Sequence, residues 1–323
     1  MRKVAILSVL LTAVPLLAPA DAAVVQGFVY SAGTFTFINL PGPPTGINDA
    51  SQIVGSSYPS LADSNFRGFL YDAGTITTIS PPGAAGSSGA FGINDAGQIV
   101  GSYFDANHVY RGFLYDAGTY TTIDVPGGIS PTLASINDAG QIVGQFGDGS
   151  GGFHGFLYDA GNFTTIDKPG ARSTWVTGIN DAGQMVGGFN DASGRAHGWT
   201  SDAIGSFTTL DAPGADFTDI TGINDAGQIV GQFYVGPDPH MFLYAAGSFT
   251  TFDLPGTTSV VRGINDAGQV VGWVVSPIPE PGSMLLLGSG LAGVWAVGRK
   301  EARRQGRPLR SVTRSGTSSS SRV

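Results

Sequence analysis

Three histidines, His154, His197 and His240, stand 43 residues apart. Imidazoles are good zinc ligands, so three of them converging on a common axis would make a metal centre. The equivalent step earlier in the chain carries Arg67 in one copy and Arg111 in another, and a guanidinium is no ligand. These side chains therefore read as strand-start residues that cover an edge, with no metal bound. A second candidate is the pair Asn94-Asp95, which recurs six times. Carboxylates in turns can ligate calcium, but each turn holds one carboxylate and lacks the alternating Asp-x-Asp-x-Asp of a calcium loop. Turn formation accounts for the pair better. A third group breaks the repetition. Trp175 precedes one core where other copies have smaller residues, Trp199 replaces a Phe, and Lys168, Arg172 and Arg262 put scarce positive charge in the last three units. An exposed Trp beside an Arg could stack on a sugar ring or pair with an acidic glycan. Trp175, Trp199 and Arg172 are thus the candidate ligand contacts, with core packing as the competing account. No Ser/His/Asp signature and no paired Glu appears, so no catalytic residue and no cofactor is assigned.

Residues that recur must be placed by elements that recur. The hexapeptide Ile-Asn-Asp-Ala-(Gly/Ser)-Gln begins at Ile47, Ile93, Ile136, Ile179, Ile223 and Ile264, at spacings of 46, 43, 43, 44 and 41. An aromatic after Gly or Met shares that period: Phe28, Phe69, Phe113, Phe156, Trp199 and Phe242. Each unit reads as four short strands. In the third these are Gly112–Tyr115, Tyr120–Asp124, Leu133–Ile136 and Gln141–Phe146, with turns at Asp116-Ala117-Gly118 and Asn137-Asp138-Ala139-Gly140. Both turns suit a type I turn ending in a left-handed Gly. Thr-Thr-Ile and Gln-Ile-Val supply β-branched residues that fit a pleated surface. Four strands in about 43 residues is the size of a propeller blade. A lone blade cannot bury both faces, so six units predict an all-β, six-bladed β-propeller over 24–275, with a β-solenoid as the rival. If the small-residue strand before Ile-Asn-Asp is innermost, the first and last hairpins must share one blade, pairing Gly27–Tyr30 with Gln269–Val274.

Composition agrees. The chain has 323 residues, 50 of them Gly, and only 12% are charged, which favours turn-rich β structure over helix. It has no Cys, so a core and a backbone ladder must hold it together. Between Val24 and Val275 six Lys/Arg face twenty-one Asp and no Glu. Such an acidic body repels nucleic acid, and Asp without Glu suits turns in which the side chain bonds its own backbone.

The ends are different. Arg2 and Lys3 precede an apolar run, Val4–Leu17, and small-residue cleavage sites at Ala18-Pro19-Ala20 and Ala20-Asp21-Ala22. Residues 1–22 read as a signal peptide for Sec-type export, too short for the roughly 20 residues of a spanning helix. Gly282–Gly298 is a second apolar stretch, read as a single transmembrane helix, and the basic cluster Arg299, Lys300, Arg303 and Arg304 follows it. The positive-inside rule keeps that cluster cytoplasmic and the body outside. Gly288–Gly293 spells G-x-G-x-x-G, but no strand or βαβ unit surrounds it, so helix packing is the better reading than dinucleotide binding.

Pro279-Glu280-Pro281, the apolar span and the Arg/Lys cluster together closely resemble the PEP-CTERM sorting signal, over 277–304. The resemblance implies cleavage near Pro-Glu-Pro by an exosortase, in a Gram-negative bacterium that makes exopolysaccharide. A polar Ser/Arg-rich tail, 305–323, runs on past the point where that family usually stops. The repeat resembles the HAF-type extracellular repeat, named for a His-Ala-Phe step that stands here as His154-Gly155-Phe156, His197-Gly198-Trp199 and His240-Met241-Phe242. It implies an extracellular setting and no assigned activity. The expectation is an exported, noncatalytic surface or matrix protein that contacts glycans. An extracellular propeller enzyme acting on polysaccharide is the alternative, and it would need polar residues converging in one place and missing from equivalent blades.

Overall fold

The computed structural model describes residues 24–57 and 65–276. Residues 1–22, read as a signal peptide, the sorting segment 277–304, read as holding a transmembrane helix, and the tail 305–323 lie outside the described residues. Among the described residues no helix is long and apolar enough to cross a membrane.

Those residues form twenty-four strands in six four-stranded antiparallel sheets. Blade one is β3 (Pro44–Ile47), β4 (Ile53–Ser57), β5 (Arg67–Asp72) and β6 (Thr75–Ile79), paired in that order from the axis outwards. Blades two to five repeat it, with inner strands β7 (Ala84–Ile93), β11 (Ile129–Ile136), β15 (Ser173–Ile179) and β19 (Phe217–Ile223). Blade six is shared by the two ends of the ring. There β1 (Val24–Ser31) and β2 (Thr34–Ile38) pair with β24 (Val270–Ser276) and β23 (Thr258–Ile264) in the order β2-β1-β24-β23. Its register sets Gly27 opposite Trp273, Phe28 opposite Gly272 and Tyr30 opposite Val270. The all-β six-bladed propeller is therefore the observed fold, closed by the expected two-plus-two blade. A unit counted from Gly112 to Phe146 straddles blades two and three.

The aromatic landmark is the core of every blade. Phe28, Phe69, Phe113, Phe156, Trp199 and Phe242 are all 1% exposed or less. Each lies opposite the Gly of an Ile-Val-Gly, Met-Val-Gly or Val-Val-Gly step, as Phe113 does opposite Gly101. A Cβ at Gly101 would come within 2.7 Å of the Phe113 ring and 2.0 Å of the Gly89 carbonyl, so that glycine is what lets ring and strand meet. The apolar core runs between sheets rather than through the axis. Val54 and Ile79 of blade one pack with Ala90, Ile99 and Phe113 of blade two, and the clusters repeat around the ring. Burying both faces in this way is what stacking achieves and a lone blade cannot.

The two turns differ from one another. Asn94-Asp95-Ala96-Gly97 closes with Gly97 N donating to Asn94 O at 3.0 Å and Gly97 at φ +78, the expected type I turn with a left-handed Gly. Ala117-Gly118 is instead a two-residue loop, with φ +44 at Ala117 and +91 at Gly118. Positive φ at both central residues is the I′ geometry, whose twist matches the flanking strands. That corrects the type I reading of Asp-x-Gly.

Candidate functional site

Strand direction sends the Asn-Asp turns to one end of the axis, here the Asp end. The loops into each third strand and into each inner strand lie at the other, the loop end. At the Asp end the repeated Asn is buried, and each does three things. Asn94 Oδ1 accepts from Gln98 N, and its Nδ2 donates to Gln98 Oε1 and, across the seam, to Asn137 O of the next blade at 3.0 Å. The same link runs from each blade to the next until Asn265 Nδ2 reaches Asn48 O at 2.9 Å. The Asp residues make a second ring. Asp95 N donates to Asp138 Oδ1 at 2.8 Å, and Asp266 N closes the circuit on Asp49 Oδ1 at 2.8 Å. The hexapeptide is thus a turn and also an inter-blade staple. Reading its Asp as bonding its own backbone missed this, because the partner lies about one repeat away in sequence.

The ring carries an electrostatic cost. Asp49, Asp95 and Asp266 are exposed, with carboxylate oxygens within 4.8 Å of one another. Burial pushes the carboxyls of Asp138 and Asp266 above the ordinary range, and neighbouring carboxylates push the same way. Inside this rim is a cavity of about 110 Å³, floored by Thr45, Phe91, Ala134, Thr177, Thr221 and Arg262.

At the loop end the three histidines do not meet. Each stays in its own blade, stacked on an aromatic neighbour: His154 on Phe146, His197 on Phe189 and His240 on Phe233, with centroids 5.4, 5.0 and 5.1 Å apart. Nδ1 lies 2.8 Å from Asp167 in the first, 2.7 Å from Asp211 in the second and 2.7 Å from Asp253 in the third. His154 and His197 also have Asp148 and Asp191 at 3.5 Å. Arg111 takes the same place in blade two and bridges Asp105 and Asp124. The His or Arg at this position is a clamp between loops of one blade. The hydrogen bond to Asp167 raises the pKa of His154 against the opposing effect of burial. Hydrogen bonds from Ser193 and from the Arg195 backbone hold Asp191 down to about 2. Asp148 is lowered in the same way, by Ser150 first.

Of the candidate ligand contacts, Trp199 lies in the core, fully buried, with its indole N–H donating to Gly188 O at 3.0 Å. It offers no face to a ligand, and the core-packing account holds there. Arg172 is exposed in the loop before β15, where its backbone N donates to Asn190 O. Lys168 sits with its ammonium 4.4 Å over the Phe189 ring. Trp175 is half-buried on β15, its ring over Gly188. The most asymmetric group was not singled out as a cluster from the sequence. Asp219 on β19 lies opposite Gln232 on β20 (Ile229–Val235), and Arg262 on β23 faces Asp219 as its counter-charge. Burial raises the Asp219 carboxyl and lowers the Arg262 guanidinium, while each charge partly offsets the penalty on the other. Both keep some accessible surface, and Arg262 lies on the floor of the cavity inside the Asp rim. The legible signal was that Asp and Arg stand where other blades carry uncharged residues.

This is a six-bladed β-propeller with a velcro-type closure, and its C-terminal residues 277–304 match the PEP-CTERM protein-sorting motif. That motif implies an exported precursor processed by exosortase. Among solved structures the chain resembles TolB from Acinetobacter baumannii at 12% identity and a TM-score of 0.52, over 77% of this chain and 63% of that one. It also resembles a putative TolB from Agrobacterium tumefaciens at 12% identity and a TM-score of 0.59, over 80% of this chain and 99% of that one. At such identity the likeness is one of fold. No curated protein matches the chain in sequence.

Proposed function

We propose that this protein is a noncatalytic propeller scaffold, exported by Sec-type machinery, held briefly in the inner membrane and sorted by exosortase to the cell surface or matrix. There it contacts exopolysaccharide or other envelope glycans. The sorting motif over 277–304 carries this reading. The HAF-like repeats and the acidic body support an extracellular setting. The noncatalytic part rests on how the repeated polar groups are used: Asn, Asp, Gln and the clamp His or Arg are engaged in internal bonds that hold blades or loops together. Replacing Glu280 with Ala should leave uncleaved precursor in the inner-membrane fraction, detected with an antibody to the body. Unchanged release would sink the exosortase reading.

A further inference from the structure

We propose that the loop end carries a proton-dependent latch in blades three and four, closed while His154 and His197 are protonated and released when they are not. Blade two holds the same latch in a permanent form, with Arg111 in the place of the histidine.

Three loops are built alike. Blade two joins β8 (Ile99–Asp105) to β9 (Tyr110–Asp116), blade three joins β12 (Ile142–Gly147) to β13 (Phe153–Asp159), and blade four joins β16 (Met185–Asn190) to β17 (Ala196–Ser201). Each loop folds around the Asp at its start, whose Oδ1 accepts two backbone N–H groups. Asp105 Oδ1 accepts from Asn107 N at 2.8 Å and from Val109 N at 2.9 Å. Asp148 Oδ1 accepts from Ser150 N at 2.7 Å and from Gly152 N at 3.1 Å. Asp191 Oδ1 accepts from Ser193 N and Arg195 N, both at 2.9 Å. The other oxygen of the same carboxylate faces the clamp residue. Arg111 Nε lies 2.9 Å from Asp105 Oδ2, while His154 Nε2 and His197 Nε2 lie 3.5 Å from Asp148 Oδ2 and Asp191 Oδ2. One carboxylate thus folds the loop and ties it down.

The far side of each clamp residue is also held. Arg111 bonds Asp124, His154 Nδ1 lies 2.8 Å from Asp167 Oδ2, and His197 Nδ1 lies 2.7 Å from Asp211 Oδ2. Each of the two imidazoles therefore has a carboxylate at both ring nitrogens. A neutral imidazole carries one N–H and an imidazolium carries two, so only the imidazolium donates to both. A neutral ring with its proton on Nδ1 keeps the shorter contact and turns the Nε2 lone pair toward the loop carboxylate, which repels it. Deprotonation therefore removes the tie to the loop. Arg111 meets its two carboxylates with a guanidinium that does not deprotonate. Blade five lacks the second half, since His240 Nδ1 lies 2.7 Å from Asp253 and no carboxylate reaches its Nε2 among the described residues.

Other charges nearby do not substitute for the imidazolium. Phe146 and Phe189 are the rings stacked on His154 and His197. The Lys168 ammonium stands 4.4 Å over the Phe189 ring, and the Arg195 guanidinium donates to the carbonyls of Ala215 and Asp216 at 2.8 Å. His108 rides exposed on the blade-two loop, with no side-chain partner among the described residues. The hydrogen bond to Asp167 raises the His154 pKa, so its release falls above about pH 6.5.

Hydrogen exchange of the full chain in detergent micelles, read by mass spectrometry at about pH 5.5 and 8.5, tests the latch. Each rate is divided by the intrinsic rate at its pH. Protection over 148–153 and 191–196 should fall about fivefold or more between the two conditions, and protection over 105–110 should stay within about twofold. His154→Arg/His197→Arg, which takes the blade-two residue, should keep both loops protected at the higher pH. His154→Gln/His197→Gln should leave both loops poorly protected already at the lower pH. An equal change in all three loops or no change in any overturns the latch. So does a pH dependence of wild-type size in whichever of these variants keeps its melting temperature.

Discussion

At the scale of single residues, the chain stores strain in its outer hairpins and carries titratable groups at both ends of its axis. Ala32, Ala73, Ala117, Ala160 and Ala246 all sit at φ between +44 and +48 beside a glycine. A left-handed Ala costs about 1–2 kcal/mol, which Asn largely avoids. Ala117→Asn should therefore raise stability by about 1 kcal/mol, read from the urea midpoint. Titration works in two directions. His154 has a raised pKa in the folded state, so its contribution is complete below about 6.5 and is lost as pH rises through the folded value. Asp148 and Asp191 have lowered values, so their contribution is present above about 3.9 and is lost as pH falls through the folded values. Asp138 and Asp266 are raised. The native state then holds extra protons just above the ordinary carboxylate range, and stability falls as pH rises through it. Melting temperature should peak in mildly acidic buffer, between about pH 4 and 6. A peak above pH 8 would contradict these assignments.

At the scale of the element, the Ile-Asn-Asp turn has two neighbours in sequence with unequal energetic roles. Asn137 is buried and makes both local and cross-seam bonds. Replacing it with Ala leaves Gln141 N without a partner and takes from the Asn180 carbonyl its cross-seam bond, leaving only the one from Gly183 N, at a cost of about 2–3 kcal/mol. Asp138 gives one oxygen to Asp95 N and places a negative charge in a ring of like charges. Asp138→Asn keeps an acceptor and removes the charge, so stability at neutral pH should stay level or rise. Denaturant midpoints of the two variants decide this. Equal losses would mean that the Asp charge itself is stabilising.

At the scale of the whole molecule, closure is the decisive feature. β1 and β2 complete blade six, and Phe28 is buried with Val261 and Val270 of the same blade and Val230 of blade five. Removing 24–40 would expose an unpaired β24 edge and open the ring. The loss should exceed that of one hairpin, giving a broad melt or none by circular dichroism. A truncated protein melting cooperatively near the intact temperature would count against closure as the source of stability.

The sequence by itself determined the repeat number, the four strands of each repeat and the aromatic that recurs with them. All of these follow from period, alternation and turn chemistry, which are local. The closure was legible only conditionally: a small-residue strand placed innermost makes the first and last hairpins share a blade, whereas blades begun at Gly-Phe need no sharing, and the strand order β2-β1-β24-β23 decided between them. Only the tertiary structure decided what the repeated polar residues bond to. Asn94 and Asp95 look like turn formers because their turn is local, but Asn94 Nδ2 and the Asp95 amide reach partners one repeat away. The histidines share a position in register, yet the side chain at that position points into its own blade's loops and not at the axis. Trp199 and Trp175 look alike as symmetry breakers. One replaces the core aromatic and is buried, and the other lies on an inner strand over a glycine. Asp219 and Arg262, 43 residues apart, face each other because their strands are adjacent around the ring. Spacing along the chain places a residue in its blade, while the neighbour across a seam is set by how the blades stack.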